Sequence, residues 1–164
     1  MLFKILVIGA DHGGFALKES LKDAAISWGV HVIDVGTFSQ TSVDYPDVVA
    51  SFLKELRQHQ VAERQDNNTK SMVSLQSDVC GVLICGSGLG MSMAANRIQG
   101  LRAALCYDTT TAQLARRHND ANVLVLGGRF LENRKAENIL HLFLTTPFDG
   151  DRHEKRIKKI DELS

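Results

Sequence analysis

The residues best spaced for chemistry lie in Gly81–Val82–Leu83–Ile84–Cys85–Gly86–Ser87–Gly88–Leu89–Gly90. A branched apolar run stops at a cysteine, three glycines follow at alternate positions, and the helix-compatible segment Met91–Arg97 comes next. This order reads as a strand, a tight turn and a helix start. Glycine admits positive φ and lets the backbone come close to a ligand. The first amides of a helix have no intrahelical partner and sit at the positive end of its dipole. That geometry suits a phosphate, a carboxylate or an enolate, and a thiol beside it is expected to carry thiolate character. A plainer reading competes, because free cysteine is commonly a small core residue and Cys85 could simply end a strand before a βα turn.

Other groups offer chemistry with the same two-sided reading. Asp11–His12 precedes Gly13–Gly14, and a polar turn there needs the aspartate and the glycines but not the histidine. His118 follows Arg116 and Arg117 near a helix end, where the dipole favours any histidine. Arg152 and Arg156 lie one helical turn apart around His153, as a solvated basic face or as an anion clamp. His31, His59 and His141 have no motif around them and read as surface or edge residues. Gly86 to Gly90 is spaced G-x-G-x-G after the third strand, not G-x-G-x-x-G after the first, which argues against a dinucleotide. No P-loop lysine follows, and Cys85 is not flanked as a nucleophile elbow requires.

These residues need a scaffold, and 164 residues suffice for one domain with a proper core. Hydrophobic content of 44% and charged content of 23% are ordinary for a globular chain, and a formal net charge of zero argues against nucleic acid as the partner. Cys80, Cys85 and Cys106 show neither a disulfide framework nor metal-ligand spacing, which points to a reducing compartment. The apolar start carries Lys4 and runs into Asp11, unlike a signal peptide. No stretch approaches the roughly 20 apolar residues of a membrane span. The expectation is a soluble, cytoplasmic protein with no membrane association.

Apolar runs and helical stripes alternate along the chain. Leu2 to Ile8 reads as a buried strand, and Leu17, Leu21, Ala24, Ala25 and Trp28 stripe a helix that Gly29 ends. Val30 to Val35 is the second strand, and Pro46 opens a helix with Val48, Val49, Phe52, Leu53 and Leu56 inward. Residues 58 to 78 are polar and aperiodic, and are expected to form a mobile surface insertion. After the strand ending at Cys85 come a helix to Ile98, a strand Leu101–Tyr107, a helix Thr109–Arg117 capped by Asp108, a strand Val123–Leu126 and a helix Asn133–Leu144. Residues 1–150 form one domain, and 151–164 a basic C-terminal helix with Ile157, Ile160 and Leu163 as its apolar edge. The alternation predicts the α/β class: a Rossmann-like three-layer αβα sandwich around a five-stranded parallel sheet of order 2-1-3-4-5. In that order the loops after the first and third strands diverge around a crevice, where ligands bind. The Asp11–His12 and Cys85–Gly90 loops then meet, which favours the functional reading of Cys85.

Five segments in order, Gly9–Ala10–Asp11–His12–Gly13–Gly14–Phe15, Asp44–Tyr45–Pro46, Ile84–Cys85–Gly86–Ser87–Gly88–Leu89–Gly90, Arg117–His118–Asn119–Asp120–Ala121–Asn122–Val123 and Arg152–His153–x–x–Arg156, resemble those of type B ribose-5-phosphate isomerases. The wider family includes the lactose-pathway galactose-6-phosphate isomerase subunits. The resemblance covers nearly the whole chain except 58–78, where family members of this length have a shorter connection. It implies an aldose–ketose isomerase without metal or cofactor that interconverts ribose 5-phosphate and ribulose 5-phosphate, in the non-oxidative branch of the pentose phosphate pathway.

By that resemblance Cys85 is the base that carries hydrogen between C2 and C1. The amides of Gly86, Gly88, Leu89 and Gly90 steady the enediolate, and Ser87 passes protons between the substrate oxygens. His118 opens the sugar ring, Asp11 and Tyr45 order hydroxyls, and Asn119 binds the sugar. Arg152 and Arg156, with His12 and Arg129, hold the phosphate. The family is dimeric or tetrameric with shared sites, so some of His118, Arg129, Arg152 and Arg156 are expected to reach a partner's pocket, with the C-terminal helix crossing over. Two alternatives remain beside this one: an isomerase of a six-carbon sugar such as galactose 6-phosphate or allose 6-phosphate, and a sugar-phosphate-binding module that does no chemistry.

Overall fold

A computed structural model describes residues 1–60 and 73–163. In chain order the elements are β1 (Ile5–Ala10), α1 (Phe15–Ser27), β2 (His31–Asp34), α2 (Tyr45–Leu56), β3 (Val79–Cys85), α3 (Leu89–Ala95), β4 (Ala103–Leu105), α4 (Thr109–Asn119), β5 (Val123–Gly127), α5 (Asn133–Thr145) and α6 (Glu154–Asp161), with 3₁₀ turns at Arg57–His59 and Asp151–His153. Every residue of β3 and of β5 is buried. Both faces of a parallel sheet are covered by helices, so its inner strands read as continuous apolar runs rather than alternating ones. Local signals set the helix starts. Pro46 sits in the first turn of α2, and the Asp108 carboxylate accepts the Thr111 amide at 2.7 Å to cap α4.

All strand pairs are parallel, and the α/β sandwich is as expected. The order of the last two strands is not: the sheet runs β2-β1-β3-β5-β4, not 2-1-3-4-5. β4 has only three residues, all half-buried, and suits an edge. β5, Val-Leu-Val-Leu-Gly, has no polar side chain to leave at an edge and takes the place beside β3. Returning from β4 to β5 with a right-handed crossover puts α4 on the same face as α1 and α5. Ala112 and Ala115 of α4 accordingly share a core with Leu17, Leu21, Ile139 and Phe143. The other face packs α2 and α3 through Val49, Phe52, Leu56, Met91 and Ala95. The exchange decides the site: the loop after β5, not the loop after β4, adjoins Cys85.

The ends of the polar stretch are tied into the fold. Gln60 bridges Leu75 in antiparallel fashion, the Gln76 amide donates to the His59 carbonyl at 3.1 Å, and Val73 is buried with its amide on the Gln99 carbonyl at 2.9 Å. The expected mobile insertion otherwise falls on residues 61–72, outside the described residues. α6 runs back along the end of the domain where the strands begin, with Gln99 Nε2 donating to the Asp161 carbonyl at 3.2 Å and Ile157 buried. Ile160 and Leu163 remain exposed. Among the described residues, no helix is long and apolar enough to cross a membrane.

Candidate active site

Three loops close over the C-terminal ends of β1, β3 and β5. The Asp11 amide donates to the Ile84 carbonyl at 3.1 Å, the Gly128 amide to the Cys85 carbonyl at 2.8 Å, and the Arg129 amide to the Gly86 carbonyl at 3.0 Å. Their approach requires missing side chains: a Cβ on Gly14 would stand 2.6 Å from the Ile84 oxygen, and one on Gly128 2.6 Å from the Gly13 oxygen. Together they enclose a cleft of about 390 Å³ lined by Asp11, His12, Tyr45, Cys85, Gly86, Ser87, Gly90, Arg129 and Phe130.

Cys85 is the last residue of β3, is 5% exposed and lines the cleft. Sγ accepts the Gly88 amide at 3.1 Å. Gly88 is the N-cap of α3 with φ of 82°, a left-handed conformation that glycine takes without steric cost. The other two cysteines are placed differently. Burial pushes the Cys106 thiol up to about 11 and the Cys80 thiol further still, and neither lines the cleft. Burial in apolar surroundings keeps a thiol protonated and inert.

The remaining cleft residues are each held by the fold. Asp11 is buried, and its Oδ1 accepts the amides of Gly13 at 2.8 Å and Gly14 at 3.1 Å, which locks the turn. His12 Nδ1 accepts the Val43 amide at 3.4 Å, so in the neutral ring the proton sits on Nε2. The Tyr45 ring packs on Gly90, where a Cβ would stand 2.7 Å from Cζ. Ser87 Oγ accepts the Leu89 amide at 3.3 Å. Leu89 itself is half exposed and does not line the cleft, and Gly88 acts on the site through its amide.

The other expected site residues form a second cluster. His118 and Asn119 end α4, and Arg152 and Arg156 lie in the last 3₁₀ turn and α6. None of the four lines the cleft. A crossover helix runs antiparallel to its strands, so the end of α4 lies where the strands begin. The five residues of β5 alone put about 16 Å between the two ends of the sheet. The His118 and His153 rings stack there at 4.4 Å. Asp149 pairs with Arg117 at 3.1 Å, and its nearest oxygen is 4.0 Å from His118 Nε2. Hydrogen bonds from Arg117 hold the Asp149 carboxyl below its ordinary range. Burial, then the positive charge of His118, Arg152 and Arg156, lowers the His153 imidazole below its usual value. Ligand atoms of His118, Asp149 and His153 lie within 4.8 Å of one another, the spacing of a possible metal site. The single carboxylate is already engaged by an arginine amid surplus positive charge, an arrangement suited to an anion rather than a cation.

The structure thus gathers Cys85, Ser87, Asp11, His12, Tyr45, Gly86, Gly90 and Arg129, and sets His118, Asn119, Arg152 and Arg156 at the far end of the same chain. Sequence reasoning gave no role to Phe130 at the cleft mouth or to Tyr107, whose hydroxyl donates to the Ser87 carbonyl at 2.5 Å. The apolar run ending before Asp108 was the only available signal for Tyr107, and it marks a strand, not a contact.

The chain is similar to known proteins over nearly all its length. A sequence model of the family described as Ribose/Galactose Isomerase matches residues 6–160. The chain is 35% identical over 160 residues to ribose-5-phosphate isomerase B of Escherichia coli, covering 98% of this chain and 96% of that protein. A crystal structure of a ribose 5-phosphate isomerase from Thermotoga maritima superposes with a TM-score of 0.83 at 45% identity, covering 97% of this chain and 98% of that one. Ribose-5-phosphate isomerase B from Mycoplasma genitalium, solved with bound ribulose-5-phosphate, gives 0.80 at 34% identity over 96% of this chain and 94% of that one.

Proposed function

The chain belongs to the ribose/galactose isomerase family, and on that footing we propose that it interconverts ribose 5-phosphate and ribulose 5-phosphate with Cys85 as the base. One observation carries the assignment: Cys85 lines the cleft while its sulfur accepts the Gly88 amide at 3.1 Å. Such a donor favours the thiolate over the thiol. The thiolate takes the proton from C2 of the open-chain aldose, and the C2–H electrons form the enediolate as the C1 carbonyl accepts charge. The thiol returns the proton to C1, which leaves the carbonyl at C2. Backbone amides of the Gly86–Gly90 turn other than those of Gly88 and Leu89, which Cys85 and Ser87 engage, stabilise the oxyanion as it develops, and Ser87 moves the hydroxyl proton between the two oxygens. Base and electrophile are thus both supplied by the chain, and no step calls on a metal or cofactor.

Ring opening and phosphate binding involve a second copy of the chain in this proposal. His118, Asn119, Arg152 and Arg156 stand at the opposite end of the sheet from their own Cys85, so they serve the cleft of a neighbour in a homodimer or homotetramer. Leu89 and Met93, one turn apart on α3 and 52% and 68% exposed, offer that neighbour an apolar face next to the cleft. His118 then acts on the ring oxygen and Asn119 on a hydroxyl, while Arg152 and Arg156 join His12 and Arg129 around the phosphate. A fixed phosphate holds C1 and C2 under the sulfur, and positioning of this kind lowers a barrier by several kcal/mol.

Proton exchange tests the reaction. In deuterated buffer, NMR of ribose 5-phosphate with the protein should show deuterium entering C2 and ribulose 5-phosphate accumulating. Binding without exchange or ketose would make the chain a sugar-phosphate-binding module. Comparing kcat/KM for ribose 5-phosphate with allose 6-phosphate and galactose 6-phosphate separates the five-carbon reading from the six-carbon one.

A further inference from the structure

We propose that Tyr107 is a positioning residue that sets the reactivity of Cys85 through the Ser87–Gly88 peptide group. The Tyr107 hydroxyl donates to the Ser87 carbonyl at 2.5 Å, and the Gly88 amide donates to Cys85 Sγ at 3.1 Å. That carbonyl and that amide are the two ends of one planar, resonance-coupled unit. A proton donor on its oxygen draws electron density from the nitrogen, and hydrogen bonds linked in this way strengthen one another. Tyr107 therefore makes the Gly88 N–H a better donor to the sulfur.

It also fixes which way the unit points. The Ser87 oxygen sits so close to Gly127 that a Cβ there would stand 2.7 Å from it, and the Tyr107 ring lies 3.3 Å from the same position. The oxygen is held between strand β5 and the tyrosine. Tyr107 is itself anchored, because it follows Cys106, whose amide donates to the Val125 carbonyl at 3.0 Å. Tyr107 does not line the cleft, so its influence passes through the peptide group and not through substrate.

The inference rests on Cys85 as the base only for its effect on turnover, because thiol reactivity is read without turnover. The test is Tyr107→Phe, which keeps the ring and removes the donor. Cys85 is alkylated with iodoacetamide across a pH series in the full chain, and peptide mapping separates it from Cys80 and Cys106. The midpoint of Cys85 alkylation should rise by about half a pH unit, roughly a threefold loss of thiolate near neutrality. Turnover should fall by a similar factor with KM near that of the parent, and Cys80 and Cys106 should stay unreacted. An unmoved midpoint overturns the proposal, and so does a shift seen only with labelling of Cys80 or Cys106, since that reports a loosened fold. A Cys85→Ala chain that still turned over would sink the base assignment alone and leave the midpoint result standing.

Discussion

The Arg129 side chain lies against the backbone of Gly86: a Cβ on Gly86 would stand 3.2 Å from Arg129 Nε, and the Arg129 amide donates to the Gly86 carbonyl at 3.0 Å. The contact exists because β5 pairs with β3, which delivers the loop after β5 to the residue that follows Cys85. The same exchange of strands brings an exposed guanidinium to the cleft, beside the backbone of Gly86.

Arg129→Ala should therefore weaken capture of a phosphorylated sugar more than it slows chemistry. Loss of a charge-assisted contact to phosphate is worth about 2 kcal/mol, roughly thirtyfold in KM. Steady-state kinetics on ribose 5-phosphate read the split, and an unchanged KM with a depressed kcat would place Arg129 elsewhere in the mechanism.

If cleft and His118 come from different copies, two dead variants should repair one another. Cys85→Ala and His118→Asn chains, unfolded together and refolded as a mixture, should regain up to about a quarter of the wild-type sites in a two-fold dimer. No recovery above the separate variants would mean that each site is complete within one chain. His118→Asn alone should also lose more activity on a cyclising substrate than on an analogue unable to close its ring, and equal losses would remove His118 from ring opening.

The buried ion pair Lys18–Asp34 makes a stability prediction. Lys18 is fully buried, with Nζ 2.6 Å from Asp34 Oδ2, and the Asp34 carboxylate also accepts the Gly36 amide at 2.9 Å. Burial alone would raise the Asp34 pKa, but hydrogen bonds from Lys18 and Lys22 outweigh it and hold the carboxyl below its ordinary range. A carboxyl depressed in the folded state stabilises above its unfolded pKa, and that stability is lost as pH falls through the folded value. Thermal melts should therefore drop as pH falls below about 4, the unfolded aspartate value. Asp34→Asn should flatten part of that acid limb and cost on the order of 2 kcal/mol at neutral pH, because it leaves the buried Lys18 ammonium with only the half-exposed Glu19 carboxylate, 3.0 Å away. A neutral effect on Tm would show that the pair is dispensable.

Much of this was legible in the sequence, for physical reasons. The apolar runs of β1 and β3 identify strands covered on both faces, and the glycines after them mark turns where backbones must touch. The meeting of the Asp11 and Cys85 loops followed from that. The order of β4 and β5 did not, because apolar content shows that a strand is buried without showing which neighbour buries it. Nor did length help, since Leu101–Tyr107 reads as a full strand and only the structure shortens it to Ala103–Leu105. The remoteness of His118 was within reach, since any crossover helix in a parallel sheet ends opposite the strand tips. Tyr107 was not, because its contact with Ser87 depends on the exchanged strands. For 58–78, composition read the stretch as polar but missed that Gln60, Val73 and Leu75 fasten its ends.

The most direct measurement is turnover by Cys85→Ala, with ribose 5-phosphate affinity measured on the same sample. Removing a group that acts only in the transition state leaves ground-state binding in place. The account predicts loss of isomerisation and of deuterium exchange at C2, with affinity within a few fold of the parent. Exchange and turnover near the parent's rate would contradict it, because the hydrogen would then be moved by a group other than this sulfur.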